Sequence, residues 1–362
     1  MERGGGPQRA RAEQPQQIPR WPVSADRTRG DGRLAYGAFV KAAVHARYGP
    51  PEVVQIAEVD EPVAGDGDVL VKVHATTVNR TDCAYRAARP FFMRLLTGLT
   101  RPRRKILGTE FAGVVEAVGS GVASFAVGDR VFGYNEGRFG THAEYLSVPE
   151  SGMIATMPAD ADFREAAAGT EGAHYALSAI RTSRITAGQD VLVYGATGAI
   201  GSAAVQLLKS MNVTVTAVCD TANLQLVRDL GPHRVIDYTT QDFTADEQRY
   251  DLVLDAVGKS TFGRCRRLLK PGGLYMSSDL GPGWQNIPLS LFTPLLRGKR
   301  VKFGAPTQNK EMVEHLRGLM ESGQFRPVID RRYPLDQIVE AYRYVETGQK
   351  IGNVVIDVAP HP

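Results

Sequence analysis

Between Val40 and Pro149, the chain shows short apolar runs separated by turn residues. The runs have the two-residue alternation or the dense β-branched content that is typical of strands. They cover residues 53–59, 68–75, 111–119, 128–133 and 143–148, with glycine or proline residues between them. Short strands at intervals of about ten residues favour an all-β unit, a barrel, over residues 40–162.

From Phe163 onward, the pattern changes to an alternation of helices and strands. Helical periods cover residues 166–181, 199–210, 224–230, 261–269 and 310–322, and buried-strand runs cover 191–194, 213–218, 235–237, 252–255, 274–277 and 301–303. This alternation predicts an α/β unit with a doubly wound parallel sheet over residues 163–323. A strand at 328–331, a helix at 335–345 and a strand at 353–358 follow, and the last strand does not continue the alternation. We therefore expect residues 324–358 to return to the first domain.

Residues 1–39 have neither period. They contain seven arginines, four acidic residues and four prolines, and this composition predicts a disordered tail. The tail lacks the apolar core of a secretory signal, whereas its arginine content leaves a mitochondrial transit peptide open. A further alternative is that the tail is not part of the working protein, because Val40 begins a strand-like run.

Most of the net positive charge of the chain lies in residues 1–39. The whole chain carries a formal charge of +4, but residues beyond the tail contain 36 basic and 35 acidic side chains. A nearly neutral body does not predict a nucleic-acid partner.

The cysteine count and the hydropathy exclude other classes. Three cysteines make neither a disulfide framework nor a four-cysteine zinc lobe. Reduced thiols indicate a cytoplasmic protein. No run approaches the roughly 20 apolar residues that a membrane helix needs, so we expect no membrane association.

A glycine-rich loop stands between a predicted buried strand and a predicted helix. Glycines in this context permit a tight turn and a close approach of the backbone to a pyrophosphate, which the helix N-terminus attracts. The alternative is a turn that only packs the helix on the strand. The loop is formed by Gly195, Ala196, Thr197, Gly198, Ala199, Ile200 and Gly201.

Asp220 lies 19 residues beyond Gly201, just after the next predicted strand. An acidic residue near this spacing often binds a ribose 2′-hydroxyl, which favours NAD over NADP. The equally weighted alternative is that Asp220 caps the following helix.

The order of these motifs resembles the medium-chain dehydrogenase/reductase superfamily, specifically its zinc-free quinone oxidoreductase branch. The motifs are Gly-Thr-Glu-Phe-Ala-Gly-Val-Val-Glu at 108–116, Val-Gly-Asp-Arg-Val-Phe-Gly at 127–133, the glycine loop and the C-terminal return. The resemblance covers residues 40–358. It implies a GroES-like β-barrel catalytic domain, built from both ends of the chain, with a Rossmann domain inserted.

The resemblance also identifies the positions that hold zinc in the metal-dependent members. They are occupied here by Asn79, by Thr109 and, for the third, near Gly169. Amide, hydroxyl and glycine make no tetrahedral zinc site, and Cys83, His74 and His142 lack ligand spacing. The implied reaction is hydride transfer from a nicotinamide to a quinone or an activated enone, without zinc.

Four residues are candidates for catalysis. Asn79 and Thr81 match positions that face the nicotinamide in the family, although they could simply satisfy backbone groups in a turn. Glu171 and His174 lie near the expected cleft. They could form an acid/base pair, or they could cap the helix and pair with each other.

Four aromatic residues are candidates for substrate binding. Tyr85 could contact the substrate or pack on its helix, and Tyr134 follows the 127–133 motif. Phe91 and Phe92 could form part of an apolar lid, or they could belong to a short helix that packs on the barrel.

The resemblance implies further cofactor contacts at seven positions. Thr221 is expected near a 2′-phosphate, Tyr238 near the adenosine, Val257 over the ribose, and Ser277 and Ser278 near the nicotinamide. Lys350 and Asn353 belong to a C-terminal segment that reaches back to the cofactor. We expect NADPH as the cofactor, with NADH as the alternative because the charge of Asp220 would repel a 2′-phosphate.

The sequence therefore predicts a zinc-independent NAD(P)H-dependent reductase of small quinones or enones, and the family suggests a homodimer. One alternative is a 2-enoyl thioester reductase. It is disfavoured because that subgroup uses a tyrosine a few residues beyond Tyr85, where this chain has Arg89-Pro90-Phe91. The other alternative is a non-catalytic, NADPH-binding or redox-sensing protein.

Overall fold

The computed structural model describes residues 19–21, 38–296, 298–304 and 309–359. The first part contains strands β1 (Arg20–Trp21), β2 (Phe39–His45), β3 (Val54–Asp60) and β4 (Asp68–Val78), helices α1 (Arg80–Ala87) and α2 (Met93–Thr97), and strands β5 (Glu110–Val118), β6 (Arg130–Tyr134), β7 (Tyr145–Pro149) and β8 (Met153–Thr156). The middle part contains α3 (Phe163–Ala168), α4 (Glu171–Ser183), β9 (Asp190–Tyr194), α5 (Ala199–Ser210), β10 (Thr214–Cys219), α6 (Leu224–Asp229), β11 (Arg234–Asp237), β12 (Tyr250–Asp255), α7 (Phe262–Cys265), β13 (Leu269–Ser277), α8 (Asn286–Phe292) and β14 (Arg300–Lys302). The last part contains α9 (Lys310–Glu321), β15 (Ile329–Pro334), α10 (Ile338–Glu346) and β16 (Asn353–Asp357).

Two of the three sheets form the GroES-like part. The larger has the order β15-β16-β4-β5-β6-β8, with β7 also paired to β4, and the smaller has the order β1-β3-β2. The long strand β4 lies at the centre and is buried along almost its whole length, which its run of valines and threonines permits. The C-terminal strand β16 pairs antiparallel with β4, Val354 opposite Val78. The end of the chain thus completes the first sheet.

The third sheet is parallel throughout and has the order β11-β10-β9-β12-β13-β14. Its central strands are continuous apolar runs because helices cover both faces, and Val191, Leu192 and Val193 have no exposed surface. The strand order reverses between β9 and β12, and ligands of such sheets bind at the carboxyl ends of the strands beside this point. The α/β fold, with a GroES-like and a Rossmann-type part, is confirmed. The domain boundaries at 162/163 and 323/324 stay predictions.

The helix expected at 166–181 is two helices. The break falls at Gly169 and Thr170, where the Thr170 hydroxyl and the Glu171 amide both donate to the Glu110 carboxylate, at 2.9 and 2.6 Å. A buried acceptor from another strand therefore starts α4, and nothing in the local periodicity reveals it. The helix expected at 261–269 is likewise short, because α7 passes into a 3₁₀ turn at 266–268.

Part of the predicted disordered tail is ordered. Arg20 and Trp21 pair in parallel with Glu58 and Val59 of β3, and Arg20 forms an ion pair with Glu58 at 3.0 Å. The Trp21 ring accepts the Lys105 ammonium 5.5 Å from its centre. Disorder is therefore wrong for these two residues, and most of the tail lies outside the described residues.

Among the described residues, none of the helices combines the length and the apolar character that a membrane span requires.

Candidate active site

The glycine loop connects β9 to α5, and its backbone geometry explains two of its three glycines. Gly195 has φ +82, and a Cβ there would lie 2.6 Å from the Val257 side chain. A Cβ on Gly201 would lie 2.1 Å from the Gly195 carbonyl oxygen. Gly198 differs, because a Cβ there would meet nothing closer than 3.6 Å. The space in front of Gly198 is therefore open.

This open space faces the N-terminus of α5. Gly198 is the N-cap and provides no side-chain acceptor, so the first-turn amides of α5 have no partner from the cap. Free amides together with the positive end of the helix dipole suit a phosphate group. The loop thus has the space and the free amides that the pyrophosphate of a dinucleotide would need, and its binding of the cofactor stays a prediction.

The C-terminal segment closes against this loop. The Gly352 amide donates to the Thr197 carbonyl at 2.7 Å, and Gly198 and Gly352 form an isolated parallel bridge. Gly352 has φ +60, and a Cβ there would lie 2.1 Å from the Val328 carbonyl oxygen. This contact carries Lys350 and Asn353 to the loop. The Asn353 amide donates to the Val328 carbonyl at 3.1 Å, so its side chain holds the backbone.

The end of the crevice expected to hold the ribose carries two carboxylates. Asp220 accepts from the backbone amide and the side chain of Asn223, at 3.1 and 2.6 Å, which is the capping role. Thr221 donates to Asp237 at 2.6 Å. Hydroxyl groups of Thr221 and Thr239 lower the pKa of Asp237, so this carboxylate stays charged. Thr221 is thus engaged by an acid at the place where a 2′-phosphate is expected.

Tyr238 lies beside this acidic end and is 45% exposed. It borders a cavity of about 360 Å³ at the carboxyl ends of β9 and β11. The sequence interpretation missed Tyr194, Phe243 and Arg264, which line the same cavity. Tyr194 directly precedes the glycine loop, and this position in the sequence could have identified it as a residue of the cavity.

The residues expected over the ribose and the nicotinamide follow β12 and β13. The Asp255 carboxylate accepts from the amides of Val257, Gly258 and Ser260, at distances of 3.2, 2.8 and 2.8 Å, and so shapes this turn. The Ser278 amide donates to the Asp255 carbonyl at 3.0 Å. Val257, Ser277 and Ser278 therefore lie at the carboxyl ends of β12 and β13, and their contacts with the ribose and the nicotinamide stay predictions.

Asn79 has its polar atoms engaged within the fold. Its side-chain oxygen accepts from the Asp82 amide at 2.9 Å, the reciprocal bond from the Asn79 amide to Asp82 measures 3.1 Å, and this capping box starts α1. Its side-chain nitrogen donates to Thr109 at 2.8 Å. The turn-stabilising alternative therefore describes what Asn79 does here, and a contact with the nicotinamide stays a prediction.

The same contact bears on zinc. Two of the three positions that hold zinc in related enzymes, Asn79 and Thr109, bond to each other, and Gly169 packs against Met320. An amide, a hydroxyl and a glycine do not fit a tetrahedral zinc ion. Within the described ranges, no three His, Cys, Asp or Glu side chains are grouped so as to hold a metal.

A pair of buried carboxyl groups lies behind the crevice. Glu110 accepts from Thr77, from the Thr170 hydroxyl and from the Glu171 amide. Burial raises the pKa of Glu110. Burial, and next the negative charge of Glu110, raise the pKa of Glu171 well above its ordinary value. Burial therefore favours the neutral form of the Glu171 carboxyl group.

Thr81 connects this carboxyl group to α1. Its hydroxyl lies 2.8 Å from Glu171 Oε1, and its side chain is only partly buried, whereas Glu171 is buried. Lys350 belongs to the same cluster, because the charges of Glu171 and Glu110 oppose the lowering of its pKa by burial. Its ammonium donates to the Gly352 carbonyl. The structure thus brings together Thr81, Glu171 and Lys350 from three distant segments.

His174 stands apart from Glu171. Its ring has no exposed surface and packs against the rings of Tyr134 and Tyr175, 5.3 and 5.5 Å between centres. Burial, with a smaller contribution from Arg181, lowers the pKa of His174 to about 4. Neither ring nitrogen has a hydrogen-bond partner among the described residues. The acid/base pair of Glu171 with His174 is therefore not formed, because Glu171 bonds Thr81 whereas the His174 ring packs between the two tyrosines.

Glu136 was missed by the sequence interpretation. It accepts from the hydroxyl groups of Tyr134 and Tyr175, at 3.0 and 3.3 Å. The only available signal is its place directly after the 127–133 motif and Tyr134. This carboxylate fixes Tyr134 beside the buried cluster.

The next aromatic residues belong to α1 and to the segment just before α2, at the rim of the expected crevice. Tyr85 packs on Phe139, with ring centres 4.5 Å apart, as its packing alternative expects. Phe91 is 77% exposed, whereas the Phe92 ring meets the edge of Trp284 at 5.3 Å. Phe92 therefore reaches from the first part of the chain to the Rossmann-type part.

A polar contact spans the same cleft. Arg80 donates to the Val257 carbonyl at 3.3 Å and lies 4.0 Å from the Asp279 carboxylate. Together with Phe92, it joins the α1–α2 region to the loops that follow β12 and β13.

Comparisons with known proteins agree with this geometry. Residues 65–159 match the alcohol dehydrogenase GroES-like domain, and residues 230–356 match a family described as zinc-binding dehydrogenase. The chain is 30% identical to 2-methylene-furan-3-one reductase of Solanum lycopersicum over 89% of its own length and 80% of the relative's. It is 29% identical, over the same shares of the two chains, to the chloroplastic NADPH-dependent alkenal/one oxidoreductase of Arabidopsis thaliana.

A solved structure extends the match to three dimensions. The quinone oxidoreductase of Coxiella burnetii superposes with a TM-score of 0.79 at 26% identity, covering 89% of this chain and all of the other. With the two domain matches, the barrel and the glycine loop, this protein is an oxidoreductase of the medium-chain dehydrogenase/reductase family and belongs to its quinone oxidoreductase-like branch.

Proposed function

We propose that the protein reduces activated enones or quinones with a nicotinamide cofactor and without zinc. The observation that carries the proposal is the buried Glu171 carboxyl group, whose pKa is raised by burial and which is bonded to Thr81 at 2.8 Å beside the glycine loop. Such a reduction adds one hydride and one proton to the substrate, so the site must provide a proton as well as hold a cofactor. When bound, the nicotinamide supplies the hydride.

Thr81 and Glu171 provide the proton in this mechanism. In the structure the Thr81 hydroxyl donates to Glu171 Oε1 at 2.8 Å. In the proposed step this hydroxyl turns to the substrate oxygen and passes its proton there, and it accepts a replacement proton from the neutral Glu171 carboxyl group. A new proton from solvent returns Glu171 to its starting state. A carboxyl group with a raised pKa is suited to this donor role.

Other residues of the chain bind the cofactor and keep water out of the crevice. The first-turn amides of α5 hold the pyrophosphate, and the segment at Gly352 supports the loop through Thr197. Tyr134, the neutral His174 and the Phe92–Trp284 contact present apolar surface that keeps water out of the crevice.

Zinc independence is supported by the donor chemistry. A quinone or an activated enone needs less polarisation than an alcohol or a simple ketone, and the Thr81 hydroxyl is available to bond its oxygen. The three positions that hold zinc in related enzymes offer an amide, a hydroxyl and no side chain.

NADPH is our proposed cofactor, supported by the relative whose name states dependence on NADPH. The carboxylates of Asp220 and Asp237 at the ribose end oppose a 2′-phosphate. We therefore expect a weak preference, with NADH also accepted.

The proposal is tested by following the absorbance of reduced nicotinamide with a panel of quinones, alkenals and enoyl thioesters, before and after treatment with a chelator. Turnover of a quinone or an alkenal that survives chelation is the expected result. Tight cofactor binding without turnover of any acceptor would favour the non-catalytic alternative. Activity that chelation removes and zinc restores would contradict zinc independence, and turnover confined to thioesters would assign the other reductase class.

A further inference from the structure

A second cavity lies on the Rossmann-type part, beside the amino ends of β13 and β14. It has a volume of about 610 Å³, within the range of small-molecule sites. Its lining consists of Gly263, Arg266, Arg267, Pro271, Gly272, Gly298 and Lys299. The strands are parallel, and the glycine loop follows the carboxyl end of β9. The cavity is therefore at the opposite edge of the sheet from the crevice.

Of the residues that the structure describes, the lining contains three cations and no acidic side chain. Within the described ranges, Arg266, Arg267 and Lys299 form no ion pair within 4.0 Å. Hydrogen bonds from Thr244, with smaller contributions from Arg264 and Arg267, lower the pKa of Asp242. Its carboxylate lies 3.8 Å from Arg264 and, among the described residues, forms no ion pair with the lining cations. The positive charge of this cavity is thus left without a direct counter-charge.

Arg300 adds a fourth cation beside the cavity. It donates to the Gly272 carbonyl at 3.5 Å, and its Nε is buried without a hydrogen-bond partner in the described part of the chain. Holding four cations together costs electrostatic free energy, which a bound anion would recover.

The cavity wall is held in place. Lys299 donates to the Arg266 carbonyl at 2.8 Å and so ties the segment before β14 to the turn after α7. Gly272 has φ +77, and a Cβ there would meet nothing within 4 Å. The space beside this glycine is therefore open. The cations thus surround one shallow, open cavity.

The sequence alone does not reveal this cluster. Its basic residues belong to two runs about thirty residues apart, in a body whose basic and acidic residues nearly balance. The parallel pairing of β13 with β14 brings the two runs together.

We propose that this cavity binds the diphosphate group of a small molecule at a site separate from the nicotinamide crevice. Two arginines match the paired oxygens of phosphate groups, and the lysine supplies a third positive charge. Two neighbouring phosphates carry enough negative charge to balance three or four cations. The cations are gathered around this one cavity, which favours a small ligand over a membrane or a nucleic acid, because either of those would need an extended basic face.

The test is calorimetric titration of the full chain with inorganic pyrophosphate in the presence of saturating oxidised cofactor, which fills the nicotinamide crevice. The decisive variant is Arg266→Gln/Lys299→Gln. Its matched control is Lys72→Gln/Arg332→Gln, which removes the same charge from exposed cations elsewhere. We expect about tenfold weaker pyrophosphate binding in the first variant, as for the loss of charge-assisted hydrogen bonds, and no change beyond about twofold in the control.

Thermal unfolding of both variants verifies that they fold, and the single variant Arg267→Gln repeats the measurement if the double variant does not. Replacing pyrophosphate by ADP distinguishes the source of the diphosphate, because tighter binding of ADP identifies a nucleotide. No pyrophosphate binding at millimolar concentration, or an equal loss in the control variant, would overturn the proposal. Binding to anionic phosphatidylserine vesicles that pyrophosphate does not displace would overturn it in favour of a membrane surface.

Discussion

The glycine loop and the buried carboxyl pair are two halves of one crevice, yet they are built in opposite ways. The loop is a run of consecutive residues between β9 and α5, and in the proposed function its backbone amides bind the cofactor. The carboxyl pair consists of Glu110 from β5 and Glu171 from α4. Its neighbours are Thr81 from α1 and Lys350 from the C-terminal return. One continuous segment of the sequence can encode a binding site made of backbone amides. A buried proton donor, in contrast, needs several segments that together exclude water.

The largest effect is expected for Gly198→Asp, which tests the glycine loop. The new carboxylate would occupy the open space before α5, where it repels a pyrophosphate, and we expect at least about 100-fold weaker nicotinamide binding. Gly198 has φ −74, so the backbone accepts the substitution. Fluorescence titration with NADPH measures the effect.

Gly198→Ala is the matched control, since it adds a methyl group to the same open space without charge. We expect its affinity to change by less than about tenfold. An unchanged titration in Gly198→Asp would show that the loop only packs the helix on the strand.

The second half is broken by Glu171→Gln. The amide keeps the shape of the side chain but cannot supply a proton, and we expect kcat to fall roughly 100-fold while cofactor affinity stays the same. Steady-state kinetics and cofactor titration separate the two quantities. The control Glu165→Gln removes a carboxylate that pairs with Arg326 outside the crevice and should leave kcat within about twofold.

The pH dependence sharpens this prediction. The reaction needs protonated Glu171, so kcat should be constant at low pH and decrease as the pH rises through the raised pKa of this group. Glu171→Gln should lack that decrease. Thr81→Ser should retain the profile, and Thr81→Val should resemble Glu171→Gln. A profile that is unchanged in Glu171→Gln would remove Glu171 from proton transfer.

The ribose end offers a smaller effect. Asp220→Asn keeps an acceptor for the helix cap and removes the charge, and we expect the ratio of NADH to NADPH dissociation constants to rise by about five- to tenfold. The control is Asp229→Asn, an exposed carboxylate on the neighbouring helix α6. An unchanged ratio in Asp220→Asn would leave capping as the sole role of Asp220.

The smallest effect is expected for a substitution of Phe92 at the rim of the crevice. Phe92→Ala removes the ring that meets Trp284 across the cleft, and we expect KM for a bulky acceptor to rise about threefold with little change in kcat. Phe91→Ala is the control, because that ring is mostly exposed and lies over the Arg94 guanidinium. Equal effects of the two substitutions would argue against closure of the cleft by Phe92.

Much of the fold was predictable because its signals are periodic and local. The helix over residues 199–210 agrees with α5 to the residue, since apolar spacing and flanking glycines both mark it. The helix expected at 166–181 failed at Gly169 because a carboxylate on β5 starts a new helix there. Arg20 and Trp21 escaped prediction because a two-residue strand has no period, and its order comes from pairing with β3.

The sequence by itself determined the α/β fold, the dinucleotide loop and the return of the last strand, because each depends on the spacing of apolar residues and glycines along one segment. Only the tertiary structure decided that Glu171 bonds Thr81 and not His174, that Asp237 joins Asp220 at the ribose end, and that two basic runs meet at one cavity. The physical reason is that a pKa or an anion site depends on burial and on charges within a few ångströms. Neighbours at that distance come from segments that are far apart in the chain.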